Sequence, residues 1–290
     1  MTRRFFRPAR PLAATFRRRG AAWWRAAVVA GVAGVAWRVG AQTVADTAAA
    51  RPPAAQDGAA AAAQARATVP FGPGERFTYD VKFGVLKVGS GSMEVAGVAD
   101  VRGREAYHTI FSVRGGVPFY KVDDRFESWI DTRTLSSLRF VKDQQEGRRD
   151  RERDYEIFPE RATYREKGGT TEEPSVSNPL DDGSFIYYVR TLPLRDGDAY
   201  ELNRYYRPDR NPVRIRVLRR ERVTVPAGTF NAVVVQPSIR TKGIFSEGGR
   251  AEIWFSDDSA RVMLQMKSQL SFGSLNLYLK SRTPGTKLAP

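Results

Sequence analysis

The chain has no cysteine and a single histidine among its 290 residues. No disulfide can therefore staple the fold, no thiolate can serve as nucleophile or metal ligand, and no lipobox cysteine can carry a lipid. A Ser–His–Asp triad or a histidine-based metal site would have to rest on His108, in Glu105-Ala106-Tyr107-His108-Thr109-Ile110. A G-x-S-x-G elbow, an H-E-x-x-H helix and a glycine-rich phosphate loop are all missing. His108 reads as a structural or solvent-facing strand residue, and no catalytic residue, metal site or cofactor is assigned. Long hydrophobic runs are missing too. Arg25 and Arg38 bracket only 12 uncharged residues, against the roughly 20 a spanning helix needs.

Acidic residues are absent before Asp46. Arg3, Arg4, Arg7, Arg10, Arg17, Arg18, Arg19 and Arg25 precede the apolar run Ala26 to Ala36, and Val39-Gly40-Ala41 follows. A positive region, a short apolar region and a small-residue site are the parts of a bacterial export signal. Residues 1–41 are expected to direct the chain to the periplasm. The alternative is an uncleaved inner-membrane anchor, which would have to take in Trp23 and Trp24 and let Arg25 snorkel. Thr2-Arg3-Arg4-Phe5-Phe6 also resembles the start of a twin-arginine signal.

Without that segment the charge changes character. The whole chain carries +15, but residues 1–41 hold nine arginines and no acids, leaving 38 − 32 = +6. Much of the basicity is thus topological, because positive residues beside an apolar segment stay cytoplasmic. Nucleic-acid binding loses its main support, and the residual charge suits loose contact with anionic lipid headgroups or lipopolysaccharide. Residues 42–69 are alanine-rich with Pro52 and Pro53 and carry no apolar stripe, which predicts a disordered linker. Residues 70–290 are long enough for one all-β domain.

From Phe71 the period becomes two. Phe77, Tyr79, Val81 and Phe83 alternate with Thr78, Asp80 and Lys82, and Val213, Ile215 and Val217 alternate with Arg214 and Arg216. Leu275, Leu277 and Leu279 repeat the pattern. Turn chemistry is read at Gly89-Ser90-Gly91, Arg102-Gly103-Arg104, Gly115-Gly116, Pro226-Ala227-Gly228 and Gly248-Gly249. The expected fold is mainly β: a curved antiparallel sheet, or open or partly closed β-barrel, of about eleven strands with one short covering helix. That helix lies at Ser184 to Leu192, where Phe185, Tyr188, Val189 and Leu192 share a face. Asp181 or Asp182 caps it and Pro193 stops it. It either plugs the core or walls a pocket.

Phe77-Thr78-Tyr79-Asp80-Val81-Lys82-Phe83 with Val88-Gly89, the Asp182 to Leu194 helix, Val225-Pro226-Ala227-Gly228-Thr229-Phe230-Asn231-Ala232, and Ile253-Trp254-Phe255-Ser256-Asp257-Asp258 followed by Met263 form an ordered set. In this order and spacing they resemble the DUF3108 family of exported bacterial proteins. The resemblance covers most of residues 71–283. It implies a curved antiparallel sheet in the envelope and supplies no catalytic residues. Its architecture invites comparison with half-barrel lipid or lipoprotein carriers, a likeness of fold only.

Two sets of residues are candidates for binding. Phe119, Tyr120, Trp129, Tyr188 and Trp254 would line an apolar groove able to take a lipid or another apolar ligand. Arg204, Arg207, Arg214 and Arg216, within the run up to Arg222, would face an anionic envelope component. The paired carboxylates Asp123-Asp124, Asp181-Asp182 and Asp257-Asp258 read as strand or turn residues. An enzyme would need acids such as Asp124 or Asp257 to converge in a cleft. The leading expectation is a non-enzymatic envelope protein with a β-groove for an apolar ligand or envelope component. The alternative is a scaffold docking an anionic partner through its arginines.

Overall fold

The computed structural model describes residues 65–117, 120–146, 149–239, 251–270 and 273–289. The expected export signal, most of the linker, Phe119 and Gly248-Gly249 lie outside them. The described residues fall in one compact unit, Gly58–Pro290. Its order is β1 (Arg76–Phe83), β2 (Leu86–Val101), β3 (Arg104–Val117), β4 (Tyr120–Asp131), β5 (Ser137–Glu146), β6 (Arg149–Phe158), β7 (Thr163–Glu166) and β8 (Glu173–Pro174). Then follow α1 (Ser184–Val189), β9 (Ala199–Leu202), β10 (Val213–Val225), β11 (Gly228–Ser238), β12 (Glu252–Ser256), β13 (Met263–Leu270) and β14 (Gly273–Thr283).

All fourteen strands join one antiparallel sheet, ordered β8-β7-β6-β5-β4-β3-β2-β1-β14-β13-β12-β11-β10-β9. Two meanders of neighbouring strands thus meet where β1 pairs with β14, from Arg76 opposite Thr283 to Phe83 opposite Leu275. The sheet is not closed. Its free edges are β8 and β9, of two and four residues. Short edge strands, one of them ending in Pro174, offer little template for another chain. The fourteen strands exceed the expected number of about eleven, and with the four-residue β7 these edges are the shortest among them. Such short pieces carry too few alternations for periodicity to show.

The alternating residues of β1 point as expected, with Phe77, Tyr79 and Val81 buried. They join Val213, Ile215 and Val217 of β10, Ile253 and Phe255 of β12, and Leu277 and Leu279 of β14 in one core. Each fully buried side chain of this size contributes roughly 1.5–3 kcal/mol. A single core served by both meanders requires the sheet to wrap around it. Two expected turns are part of that wrapping, for Gly89-Ser90-Gly91 lies within β2 and Gly115-Gly116 within β3. Gly89 stands opposite Gly115, and a Cβ on either would strike the backbone of the other strand. Glycine here permits close backbone approach within a strand, not a reversal of the chain. Arg102 and Gly103, both at positive φ, do form the β2–β3 turn.

α1 is buried nearly all round. Phe185, Ile186, Tyr187 and Val189 are inside, and Tyr188 alone of its aromatic residues is half-exposed. The expected stripe had Tyr188 facing inward. A helix enclosed by a wrapped sheet has neighbours on most sides, so Tyr187 is buried as well. The Tyr187 ring meets Phe71 at 5.0 Å, and its hydroxyl donates to the Glu94 carbonyl at 2.9 Å. α1 is a core plug. Its first turn is satisfied by Asp181, whose Oδ1 accepts the amides of Gly183 and Ser184 at 2.8 and 2.9 Å.

Just beyond α1, the buried Arg190 guanidinium makes a two-pronged pair with Glu75, at 2.6 and 2.8 Å. It lies near the rings of Phe71, Phe77 and Tyr187. The folded unit also starts before residue 70. The Ala67 amide donates to the Thr132 carbonyl at 2.8 Å, Arg66 forks onto Glu105, and Val69 is buried. The last residues assigned to the linker therefore belong to the packed unit.

Candidate functional site

Where the two free edges approach, two connecting segments stitch the molecule in place of strand pairing. Leu180, ahead of α1, bridges in parallel to Tyr205, which follows β9. The Tyr206 amide donates to the Leu180 carbonyl at 2.9 Å, and the Ser137 amide donates to the Pro179 carbonyl at 2.7 Å. Ser175 Oγ donates to the Tyr206 carbonyl at 2.7 Å. This seam holds the edge near β7 to the segment near β9.

An aromatic row leads into the seam. Phe111 of β3, Phe126 of β4, Phe140 of β5 and Tyr155 of β6 follow one another with centroids 6.3, 6.4 and 6.5 Å apart. Tyr155 meets Tyr164 of β7 at 6.0 Å, and Tyr206 contacts both at 5.7 and 5.0 Å. Cross-strand register explains the row, because Phe111 opposes Phe126 and Phe140 opposes Tyr155. Burial pushes the Tyr206 phenol far above its ordinary range and raises those of Tyr155 and Tyr164. They stay protonated and act as hydrogen-bonding and stacking groups.

At the outer end of the row lies an open crevice of about 570 Å³. Tyr155, Tyr164, Glu166, Thr170, Thr171, Glu173 and Arg207 line it. Arg207 Nε is buried and makes no hydrogen bond; its nearest carboxylate, Asp209, is 3.8 Å away. The site thus offers tyrosine faces, hydroxyls, the carboxylates of Glu166 and Glu173, and a guanidinium whose Nε makes no hydrogen bond. A smaller crevice of about 220 Å³ at Arg104, Glu105 and Asp131 is occupied by ion pairs, with Arg104 Nε 2.8 Å from Asp131.

Among the described side chains, Trp129, Tyr188 and Trp254 do not come together. Trp129 lies on the other face of β4 from the aromatic row, stacked on His108 at 4.4 Å beneath the Arg139 guanidinium. Trp254 is only 3% exposed, on the other face of β12 from Phe255, and its Nε1 donates to Glu221 at 2.6 Å. Tyr188 sits under Arg204 at 4.3 Å. Tyr120 is described as backbone at the start of β4. Tyr155, Tyr164 and Tyr206 carry no such expectation from the sequence. Tyr155 follows the mixed-charge run of residues 148–154 and Tyr206 stands between Arg204 and Arg207, and long-range pairing is what assembles them.

Of the candidate arginines, Arg207 enters the crevice, and Arg204 Nε donates to the nearby Asn178 carbonyl at 2.8 Å. Arg214 pairs with Glu201 at 2.7 Å, and Arg216 is exposed on β10. Arg219 pairs with Glu221 and Glu252, and Arg220 with Asp196 and Asp257. Carboxylates thus answer much of this face. The paired aspartates have structural partners. Asp123 meets Arg114, whereas Asp124 is buried on the opposite face of β4. Asp257 pairs with Arg261 in the β12–β13 turn, where Asp258 caps the Ala260 and Arg261 amides. Asp124 and Asp257 share no cleft among the described residues. His108 Nε2 is 2.6 Å from Glu127 on the same face as Trp129.

The sheet, its plug and its seam define a β-barrel-like protein built from one incompletely closed antiparallel sheet. The chain belongs to the DUF3108 family, a family of proteins of unknown function, whose profile matches residues 78–280. Among solved structures it is similar to the "beta-barrel-like protein of domain of unknown function DUF1849" from Brucella abortus. That likeness has a TM-score of 0.52 at 13% identity and covers 76% of this chain and all of the other (100%), a likeness of fold alone. A "putative lipoprotein" from Parabacteroides distasonis aligns with TM-score 0.34 and 12% identity over 74% of this chain and 99% of that one. A "putative exported protein with YmcC-like fold" from Bacteroides fragilis gives 0.29 and 11% over 76% and 99%. Those two scores are too low to carry an argument. No curated protein matches the chain.

Proposed function

We propose that this is a non-enzymatic protein of the bacterial cell envelope that holds an apolar or amphipathic envelope component at the seam. The carrying observation is the crevice of about 570 Å³ at the end of the aromatic row, a size within the range of small-molecule sites. Tyrosine rings supply apolar contact, and Arg207 supplies a cation for a polar or anionic head. The arginine-rich start of the chain, its short apolar run and the small residues after it support export to the periplasm. The arginine-face scaffold is the weaker reading, because Arg214, Arg219 and Arg220 already pair with acids.

The test is native mass spectrometry of the protein recovered from a bacterial periplasm, with organic extraction of anything bound. A discrete adduct of lipid size is expected, retained in Trp129→Ala and lost in Tyr164→Ala or Arg207→Gln. A bare mass that persists after incubation with envelope lipids would refute the proposal.

A further inference from the structure

The β1–β2 hairpin has an unusual tip. Its connection is Gly84-Val85, with Gly84 at φ 58°, a two-residue turn that leaves little freedom. Val85 is 90% exposed and Leu86 66% exposed, the two most exposed large apolar residues among those described. Turns are ordinarily polar, so two adjacent aliphatic side chains held in water there need a reason.

The stem beneath them adds a second observation. Lys82 stands directly opposite Lys87, and like charges in that position destabilise a strand pair. The repulsion is only partly relieved. Lys87 reaches Asp80 at 2.8 Å, while Lys82 lies 4.9 Å from the Tyr278 ring centroid. β3 ends and β4 begins at the same end of the sheet, bringing the exposed Arg114 and Lys121. Asp80 and Asp123 are already paired there with Lys87 and Arg114.

We propose that the β1–β2 hairpin is a membrane-docking tip, inserting Val85 and Leu86 into the interface of an anionic bilayer while Lys82 and Lys87 meet lipid phosphates. The dimensions agree. Lys87 follows Val85 by two residues, about 7 Å along a strand, and interfacial elements bury their apolar groups about 5–10 Å deep. A protein partner would satisfy the aliphatic pair equally well. The twin lysines at headgroup depth favour a lipid surface. The inference is independent of what occupies the seam.

The absence of cysteine makes the test clean. Val85→Cys and, as control, Val98→Cys on β2 away from the tip are labelled in the full chain with an environment-sensitive fluorophore. Both are mixed with vesicles of phosphatidylcholine alone or with phosphatidylglycerol, and circular dichroism verifies folding. With anionic vesicles, the position-85 label is expected to shift to the blue and brighten several-fold, and the position-98 label to stay as in water. Replacing both lysines (Lys82→Gln, Lys87→Gln) is expected to weaken vesicle binding about 30-fold, at about a factor of five per cation. A water-like label at position 85 on protein-bearing vesicles overturns the proposal and points to a protein partner. An equal response from both labels, or unchanged affinity in the lysine variant, also overturns it.

Discussion

Asp181→Asn should remove part of the pH dependence of stability. Asp181 is fully buried beneath α1, accepting from Ser128 Oγ at 2.6 Å, from Ser137 Oγ, and from the Gly183 and Ser184 amides. Burial pushes its carboxyl from 3.8 up to about 6, against the pull of those hydrogen bonds, with Asp182 adding repulsion. Between these two values the folded state binds more protons than the unfolded chain. The contribution is therefore greatest below the unfolded value and is lost as pH rises through the folded one. About two pH units at about 1.4 kcal/mol each give roughly 3 kcal/mol. Asparagine resembles the protonated acid and does not titrate. It can accept through one oxygen only, which imposes a pH-independent cost. Urea unfolding of both proteins from pH 3 to pH 8 would show the variant gaining about 3 kcal/mol relative to the parent. The midpoint should shift at constant m-value. A stability difference that stays flat across that range would refute the reasoning.

Two further outcomes follow from the packing. Arg190→Met should cost about 3–5 kcal/mol in urea or thermal unfolding, because it strands the Glu75 carboxylate in the core, and adding Glu75→Leu should recover most of the loss. Gly115→Ala should lower the melting temperature far more than Gly103→Ala with the same assay. Its Cβ would meet the β2 backbone, whereas at Gly103 only the positive φ opposes the change.

Local chemistry was legible in the sequence wherever neighbours in the chain are neighbours in space. Phe77, Tyr79 and Val81 announced β1, and Phe185 and Val189 announced α1. Tyr187 did not, since a helical stripe assumes solvent on the far side and α1 has little. Gly89 and Gly115 look like turns in sequence because glycine signals either a reversal or a close approach, and only pairing distinguishes them. The seam was illegible for a deeper reason. Tyr155, Tyr164 and Tyr206 come from β6, β7 and the segment after β9, and nothing in their local sequence marks them as partners. Aromatic residues chosen one by one fell on different faces, as Trp129 and Trp254 show.

The pairing of β1 with β14 has a consequence for the order of assembly. Each meander is built of hairpins that close short loops and can form as the chain emerges. The join between them cannot, because β1 is made long before its partner β14. Until Gly273–Thr283 arrives, the eight residues of β1 present an unpaired edge in the middle of the future sheet. β14 therefore works as a late fastener for β1. A chain that stalls before Gly273 is left with two half-sheets, each bearing an edge open to foreign strands, so the arrival of β14 decides whether those edges stay apart from their neighbours' chains.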